Sequence, residues 1–252
     1  MAKQKGIVPL EGTIGNVTFY KSKAGYLARE KGGVDGNRIA TDPAFARTRE
    51  NGSEFGRAGK AGRLLRTSLR ALLLSINDTY MSGRLTREFV KVIRADETNT
   101  RGQRNVIDGE AELLQGFEFN QSGRLGSTLY APFTPAIDRV TGELSVALPS
   151  FVPLNMIAAP AGATHYKINT AGVEVDFEAE TFVVDLGTTG EGIIGTNPTA
   201  MTTLTANVTP ASTKPLFLAV GIEFFQQVNG VTYPLRNGAY NALSLVLVSS
   251  GV

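Results

Sequence analysis

The chain has no cysteine, so disulfides, thiolate metal sites and cysteine nucleophiles are excluded, and a reducing compartment suits it. It has no tryptophan, which removes the largest aromatic face for stacking a sugar; Tyr130, Tyr233 and Tyr240 would have to substitute. A single histidine, His165, is present, and no Gly-x-Ser-x-Gly turn accompanies it as a nucleophile. A structural role in a strand is expected for it. No stretch approaches the 18 apolar residues of a membrane-spanning helix, and the longest, Leu243 to Val248, has the length of a strand. No membrane insertion is therefore expected. Residues Met1 to Glu11 are basic at points but lack the apolar segment of a signal peptide. Cytoplasmic synthesis follows as the expectation, with an extracellular location reached only by lysis or signal-independent release.

What is present is a split of charge. Residues 1–110 hold 20 Lys and Arg against 12 Asp and Glu, a balance of +8, while residues 111–252 hold 5 against 11, a balance of −6. The net charge of +2 conceals this polarity. A basic front and an acidic back suit a polyanion partner or copies of one chain stacking head to tail.

Pattern changes along the chain as well. Residues 12–31 read as a β-hairpin, with Ile14, Val17, Phe19 and Tyr20 in one run, Tyr26 to Arg29 in the other, and Lys21 to Gly25 between them. Asp42 followed by Pro43 is a helix start. From Phe55, apolar residues recur at helical spacing through Ala58, Ala61, Leu65, Leu69 and Leu72. Gly52, Gly56, Gly59 and Gly62 interrupt that pattern, each costing about 1 kcal/mol relative to alanine. Either the helix breaks near Gly52 or the glycines admit a neighbour; close packing is expected at Gly56, Gly59 and Gly62. A second helix is predicted from Ser82 to Ala95, and a short third one, capped by Asp108, ends before Gly116. Strands then take over, with Asn-Gly hairpin turns at Asn229-Gly230 and Asn237-Gly238. Residues 187–213 read as a long loop with one short strand.

The fold class expected is α+β. An N-terminal β-hairpin and helical module (1–115) leads through a β-rich connecting segment (116–149) to an Ig-like antiparallel β-sandwich (150–252).

Two constellations carry the candidate chemistry. Between Arg47 and Arg70 lie seven basic and two acidic residues, and Arg49, Lys60, Arg63, Arg66 and Arg70 project from one helix face. Such a row either meets another subunit or tracks a phosphate backbone, although no nucleic-acid recognition motif or stacking aromatic accompanies it. The segment Gly56-Arg57-Ala58-Gly59-Lys60-Ala61 is not a phosphate loop: Glu54 stands where the first glycine belongs and Ala61 where the hydroxyl belongs. Opposing the row, Glu174, Asp176, Glu178 and Glu180 alternate along a predicted strand, putting four carboxylates on one face. That face is either a wet edge, a surface for a basic partner, or a Ca²⁺ site.

The segments Gly12 to Lys21, Asp42 to Asn51, Glu54 to Ala58 and Gly102 to Ile107, with the C-terminal Asn-Gly hairpin, resemble a family of uncharacterised Bacteroidota proteins over most of the chain. The resemblance implies a bacterial origin and a shared fold, and it transfers no catalytic or binding residue.

No catalytic set, cofactor or metal site is therefore expected. The function anticipated is a structural protein that self-assembles into a homo-oligomer, filament or particle, the basic helix of one copy meeting the acidic strand of the next. The alternative is a nucleic-acid-binding protein that uses helix 47–70, with the sandwich as a partner-binding module.

Overall fold

A computed structural model describes all residues except Met1, Ile7, Lys31, Arg236, Asn237, Gly238 and Val252. The second expected hairpin turn, Asn237-Gly238, lies outside the described residues. The chain divides into two compact units, Met1–Arg49 and Glu50–Val252, the division falling within one continuous helix. Of the three segments read from the sequence, 116–149 and 150–252 lie in the second unit together with residues 50–115. Among the described residues no helix is long and apolar enough to cross a membrane.

The first unit is a four-stranded antiparallel sheet followed by short helical turns. Its strands are β1 (Ala2–Lys3), β2 (Gly12–Ile14), β3 (Val17–Ser22) and β4 (Gly25–Glu30), in the spatial order β1-β4-β3-β2. The expected hairpin is its centre, β3 against β4. What sequence reading took as one strand from Ile14 to Tyr20 is two, because the chain turns at Gly15, whose φ of 58° favours glycine. Helix α1 (Gly36–Thr41) follows, capped by Asp35, which accepts from Asn37 N–H at 3.0 Å. Asp42 then caps a 3₁₀ turn, Pro43–Phe45, accepting from Ala44 N–H at 2.9 Å, and α2 (Ala46–Ser68) continues from it.

The second unit is layered. Helices α2, α3 (Arg70–Leu73) and α4 (Met81–Arg94) form the first layer. Two short helices, α5 (Leu125–Thr128) and α6 (Pro153–Met156), come later, so helical structure does not end before Gly116. The middle layer is a five-stranded antiparallel sheet of β7 (His165–Asp176), β8 (Thr181–Ile193), β10 (Leu216–Val228), β11 (Val231–Pro234) and β12 (Ala242–Ser249). The last layer is a three-stranded sheet, β5 (Thr134–Asp138), β6 (Glu143–Leu148) and β9 (Thr202–Asn207).

Strand alternation assigns the two cores. Ala171, Val173, Val175, Phe217 and Ala219 pack with Leu65, Leu85 and Phe89 of the helices. Ile168, Leu218, Val220 and Ile222 pack with Leu144, Val146 and Leu204 of the small sheet. A strand covered on both faces reads as a continuous apolar run, which is why Leu216 to Val220 is apolar throughout. The Asn229-Gly230 turn between β10 and β11 forms as expected, with positive φ at both residues.

Three expectations need correction. The α+β class holds, but the Ig-like sandwich over 150–252 is not borne out: the small sheet draws β5 and β6 from the expected connecting segment, and one sheet curls into a half-barrel. Residues 187–213 hold two strand segments, not one: 187–193 end β8, paired with β7, and 202–207 form β9, paired with the distant β6, while the residues between and after them are loop as expected. Asp108 does not cap the 3₁₀ turn Ala111–Leu114; Glu110 holds the cap position, and the Asp108 carboxylate instead accepts from the Asn99 and Asn105 amides at 2.8 Å.

Candidate functional site

Two members of the basic row, Arg49 and Arg66, are absorbed into local structure, and the last, Arg70, lies beyond α2 in α3. Arg49 donates from Nη1 to the carbonyls of Ile39 (2.8 Å) and Asp42 (2.9 Å), tying α1 to the start of α2. Arg66 folds back onto the Gly62 carbonyl at 3.2 Å. Arg57, left out of the sequence-derived row, donates to the Gly102 (2.8 Å) and Arg104 (2.9 Å) carbonyls and pins the loop that follows α4. Arg63 and Arg70 remain exposed.

The three glycines of α2 differ. A Cβ on Gly62 would touch Phe89 at 3.5 Å and Leu85 at 3.7 Å, an ordinary contact at the α2–α4 crossing. At Gly56 and Gly59 no atom of the described residues lies within 4 Å of such a Cβ, so the close packing expected there is corrected. The helix does not break at Gly52 either. Gly56→Ala and Gly59→Ala should therefore each stabilise the protein by about 0.5–1 kcal/mol through helix propensity and a less flexible unfolded chain. Thermal unfolding reads this directly, and a lowered midpoint for either variant would mean that an unseen neighbour uses the space.

The four carboxylates do not form one wet face. β7 is a central strand between β8 and β10, and the small sheet lies over the side that holds Glu174, with Gly172 against Ala206 and Leu144. Glu174 is buried, accepting from Thr209 N–H at 3.1 Å. Asp176 ends the strand: the Ala179 N–H and the Lys214 ammonium, 2.9 Å away, hold its carboxyl below the usual range, and the same contact raises Lys214. Glu178 and Glu180 belong to the turn between β7 and β8. Among the described residues no group of three or more His, Cys, Asp or Glu is placed to hold a metal ion.

One member of each set does meet the other. Lys60 Nζ lies 3.4 Å from Glu180 Oε1, both side chains well exposed, a geometry of small net strength. Beside the pair is a cavity of about 160 Å³ walled by Arg57, Leu64, Val106, Ile107 and Phe177. A second cavity of about 360 Å³ shares Ile107 and Phe177 and adds Asp108, Asp176, Glu178 and Lys214. Phe177 is fixed at this junction by edge contacts to Phe89 and Phe217, with ring centres 5.8 and 6.2 Å away. The result is a short groove with an apolar floor and walls of both charge signs.

A larger cleft, about 450 Å³, opens between α4 and the segment Gln115–Arg124, with Arg84, Arg87, Arg124 and Glu118 on its walls. Arg84 is structural here, donating to the Glu118 carbonyl (2.8 Å) and to Asp78 (2.7 Å) while its guanidinium lies over the Phe117 ring. Burial raises the Glu118 carboxyl, although Leu125 N–H and nearby arginines oppose the shift. Arg87 is matched by Glu88 at 3.3 Å, so the cleft has no single sign of charge.

His165 opens β7, with Nδ1 2.9 Å from Thr164 Oγ1. Two polar hubs escaped sequence reading. Buried Asp96 organises the loop after α4, and Arg139 donates to the carbonyls of Ser212, Lys214, Ser249 and Ser250, clamping the end of β12. The turn-forming cluster Asp96-Glu97-Thr98-Asn99 is the signal that could have disclosed the first. No protein family matches the chain, and no curated protein or solved structure matches it either.

The first unit contributes a different kind of surface. None of its described residues is buried. Its sheet nevertheless has an apolar side: the register Ile14↔Val17, Phe19↔Ala28 and Lys21↔Tyr26 puts Ile14, Val17, Phe19, Ala28 and Tyr26 together. Ile14 is 64% exposed and Val17 36% exposed.

Proposed function

We propose that this protein is a non-enzymatic structural protein that assembles with copies of itself. The observation that carries the reading is the first unit: four paired strands with an apolar side and no buried side chain among the described residues. A sheet needs an apolar face packed against something to be stable in water, and a unit of this size has little margin without a core. Both cores of the chain, by contrast, are built wholly from residues of the second unit. An assembly partner would supply the cover that the first unit lacks.

This moves the expected contact. The head-to-tail pairing of basic helix with acidic strand has less support, since Asp176 and Glu180 already have cations of the same chain beside them. The nucleic-acid reading is weakened likewise, because Arg49 and Arg66 spend their guanidinium groups on backbone carbonyls. Light scattering on the full chain should give a mass that is a multiple of 26.8 kDa and rises with concentration. A mass of one chain across the whole concentration range overturns the proposal.

A further inference from the structure

We propose that the apolar side of the N-terminal sheet is a two-fold docking surface whose occupant is the same sheet of a second copy, Lys21 of each chain lying over Glu30 of the other. This rests on the self-assembly proposed above and names its contact.

A two-fold interface must be self-complementary: whatever residue i meets, its counterpart meets i in return. The β3–β4 face has that property. Directly opposed residues share a face, so Val17 with Glu30, Phe19 with Ala28, and Lys21 with Tyr26 form three successive rows. The middle row is apolar, one end row has a base, and the other has an acid. Lys21 lies four residues from Val17, so about 13 Å of strand separates the two charged ends and they cannot pair within one sheet. Among the described residues Lys21 makes no ion pair and rests over the Tyr26 ring, 5.5 Å from its centre. Among the described residues Glu30 makes no ion pair.

Turning a second copy over about an axis that crosses the strands brings Lys21 to Glu30 at both ends. It also stacks Phe19 and Ala28 on their counterparts and sets each Val17 against the methylene stem of the other copy's Lys21. Sheets packed in this way stand about 10 Å apart, a distance that side chains of this size fill. The opposite side of the sheet is less suited to the task. Alternation places Lys3, Thr13, Thr18, Tyr20 and Arg29 there, around Leu27, with the Arg29 guanidinium over the Tyr20 ring. Because Lys3 and Arg29 point away from the proposed contact, each facing surface carries one base and one acid.

The test uses the full chain and follows its mass against concentration. Lys21→Glu and Glu30→Lys should each raise the dissociation constant at least about tenfold, because a like-charged pair replaces each attraction. The double variant K21E/E30K should recover most of that loss, since the swapped charges meet again across the axis. Absence of cysteine allows a second readout. Ala28→Cys, close to the axis, should give a covalent dimer with a short bis-maleimide, whereas Thr18→Cys on the opposite side should not. Single variants that assemble like the parent, or a double variant no better than the weaker single, overturn this contact while leaving self-assembly intact. So does equal crosslinking from position 18. A parent chain that is monomeric throughout overturns both.

Discussion

Asp96→Ala should cost the second unit about 3–5 kcal/mol, lowering its melting temperature by roughly 10 °C. The residue has no exposed surface, and its carboxylate is the acceptor for four donors. Oδ1 takes Thr98 N–H and Asn99 N–H at 2.9 Å each; Oδ2 takes the Asn99 amide at 2.9 Å and Asn105 N–H at 3.0 Å. Truncation removes four charge-assisted bonds and leaves three backbone donors without their acceptor, so the loss is larger than the mean value of one hydrogen bond. Burial by itself would push this carboxyl up, but the donors outweigh it and its pKa falls below the ordinary value. A group whose folded pKa is depressed stabilises the fold above its unfolded pKa, and that contribution disappears as pH falls through the folded value. Parent and variant should therefore differ most at neutral pH and converge in strong acid. Thermal melts from neutrality down to about pH 2, below the ordinary aspartate value, measure both effects. A variant melting within about 2 °C of the parent at pH 7 would remove Asp96 from the role of loop organiser. The consequence reaches the groove, since the loop that Asp96 holds carries Asn105 and Ile107 into its wall.

Local signals were legible where the chain's immediate neighbours decide the outcome. Asp42-Pro43 starts helical structure because a side-chain acceptor and a preset φ act within three residues. Leu85, Phe89, Val92 and Ile93 share a face of α4 because helical period alone aligns them. Asn229-Gly230 turns because both residues accept positive φ. The α+β class follows from such signals taken in order.

The candidate site was harder to read because it depends on which strand lies beside which. Alternation of Val173, Val175 and Phe177 with Glu174 and Asp176 reports two different faces, not which of them is wet. β7 is a central strand with a second sheet over its polar side, and Glu174 is buried there among polar partners that are 35 to 40 residues away in sequence. The α2 glycines misled for a related reason: spacing at three and four residues marks a common face without saying whether anything covers it. Gly62 meets α4, while Gly56 and Gly59 face open space one and two turns earlier. The uncovered first unit was not predicted either, since each of its strands has the apolar content of an ordinary half-buried strand.

The close approach that sequence reading sought in a helix occurs instead between the sheets, and Gly172 is its centre. A Cβ built there would stand 2.9 Å from the Ala206 Cβ and 3.2 Å from the Leu144 Cβ, both on the small sheet. The first contact is closer than carbon atoms tolerate and the second is tight, and neither neighbour is the free end of a flexible chain. Relief requires the two sheets to separate around a core that is otherwise fully packed, with Leu144, Val146 and Ile168 wholly buried. Gly172→Ala should therefore destabilise the protein by about 1–3 kcal/mol, and Gly172→Val by more, although both substitutions add apolar surface to an apolar site. Because the nearest obstacle is one methyl group, Ala206→Gly should restore part of the loss in the G172A background while being destabilising on its own. That sign reversal is a coupling between neighbours and not a sum of independent effects. Denaturant melts of the four proteins in the cycle measure it. Additive effects would mean that the sheets yield by shifting elsewhere, and that the layer spacing is not set at this contact.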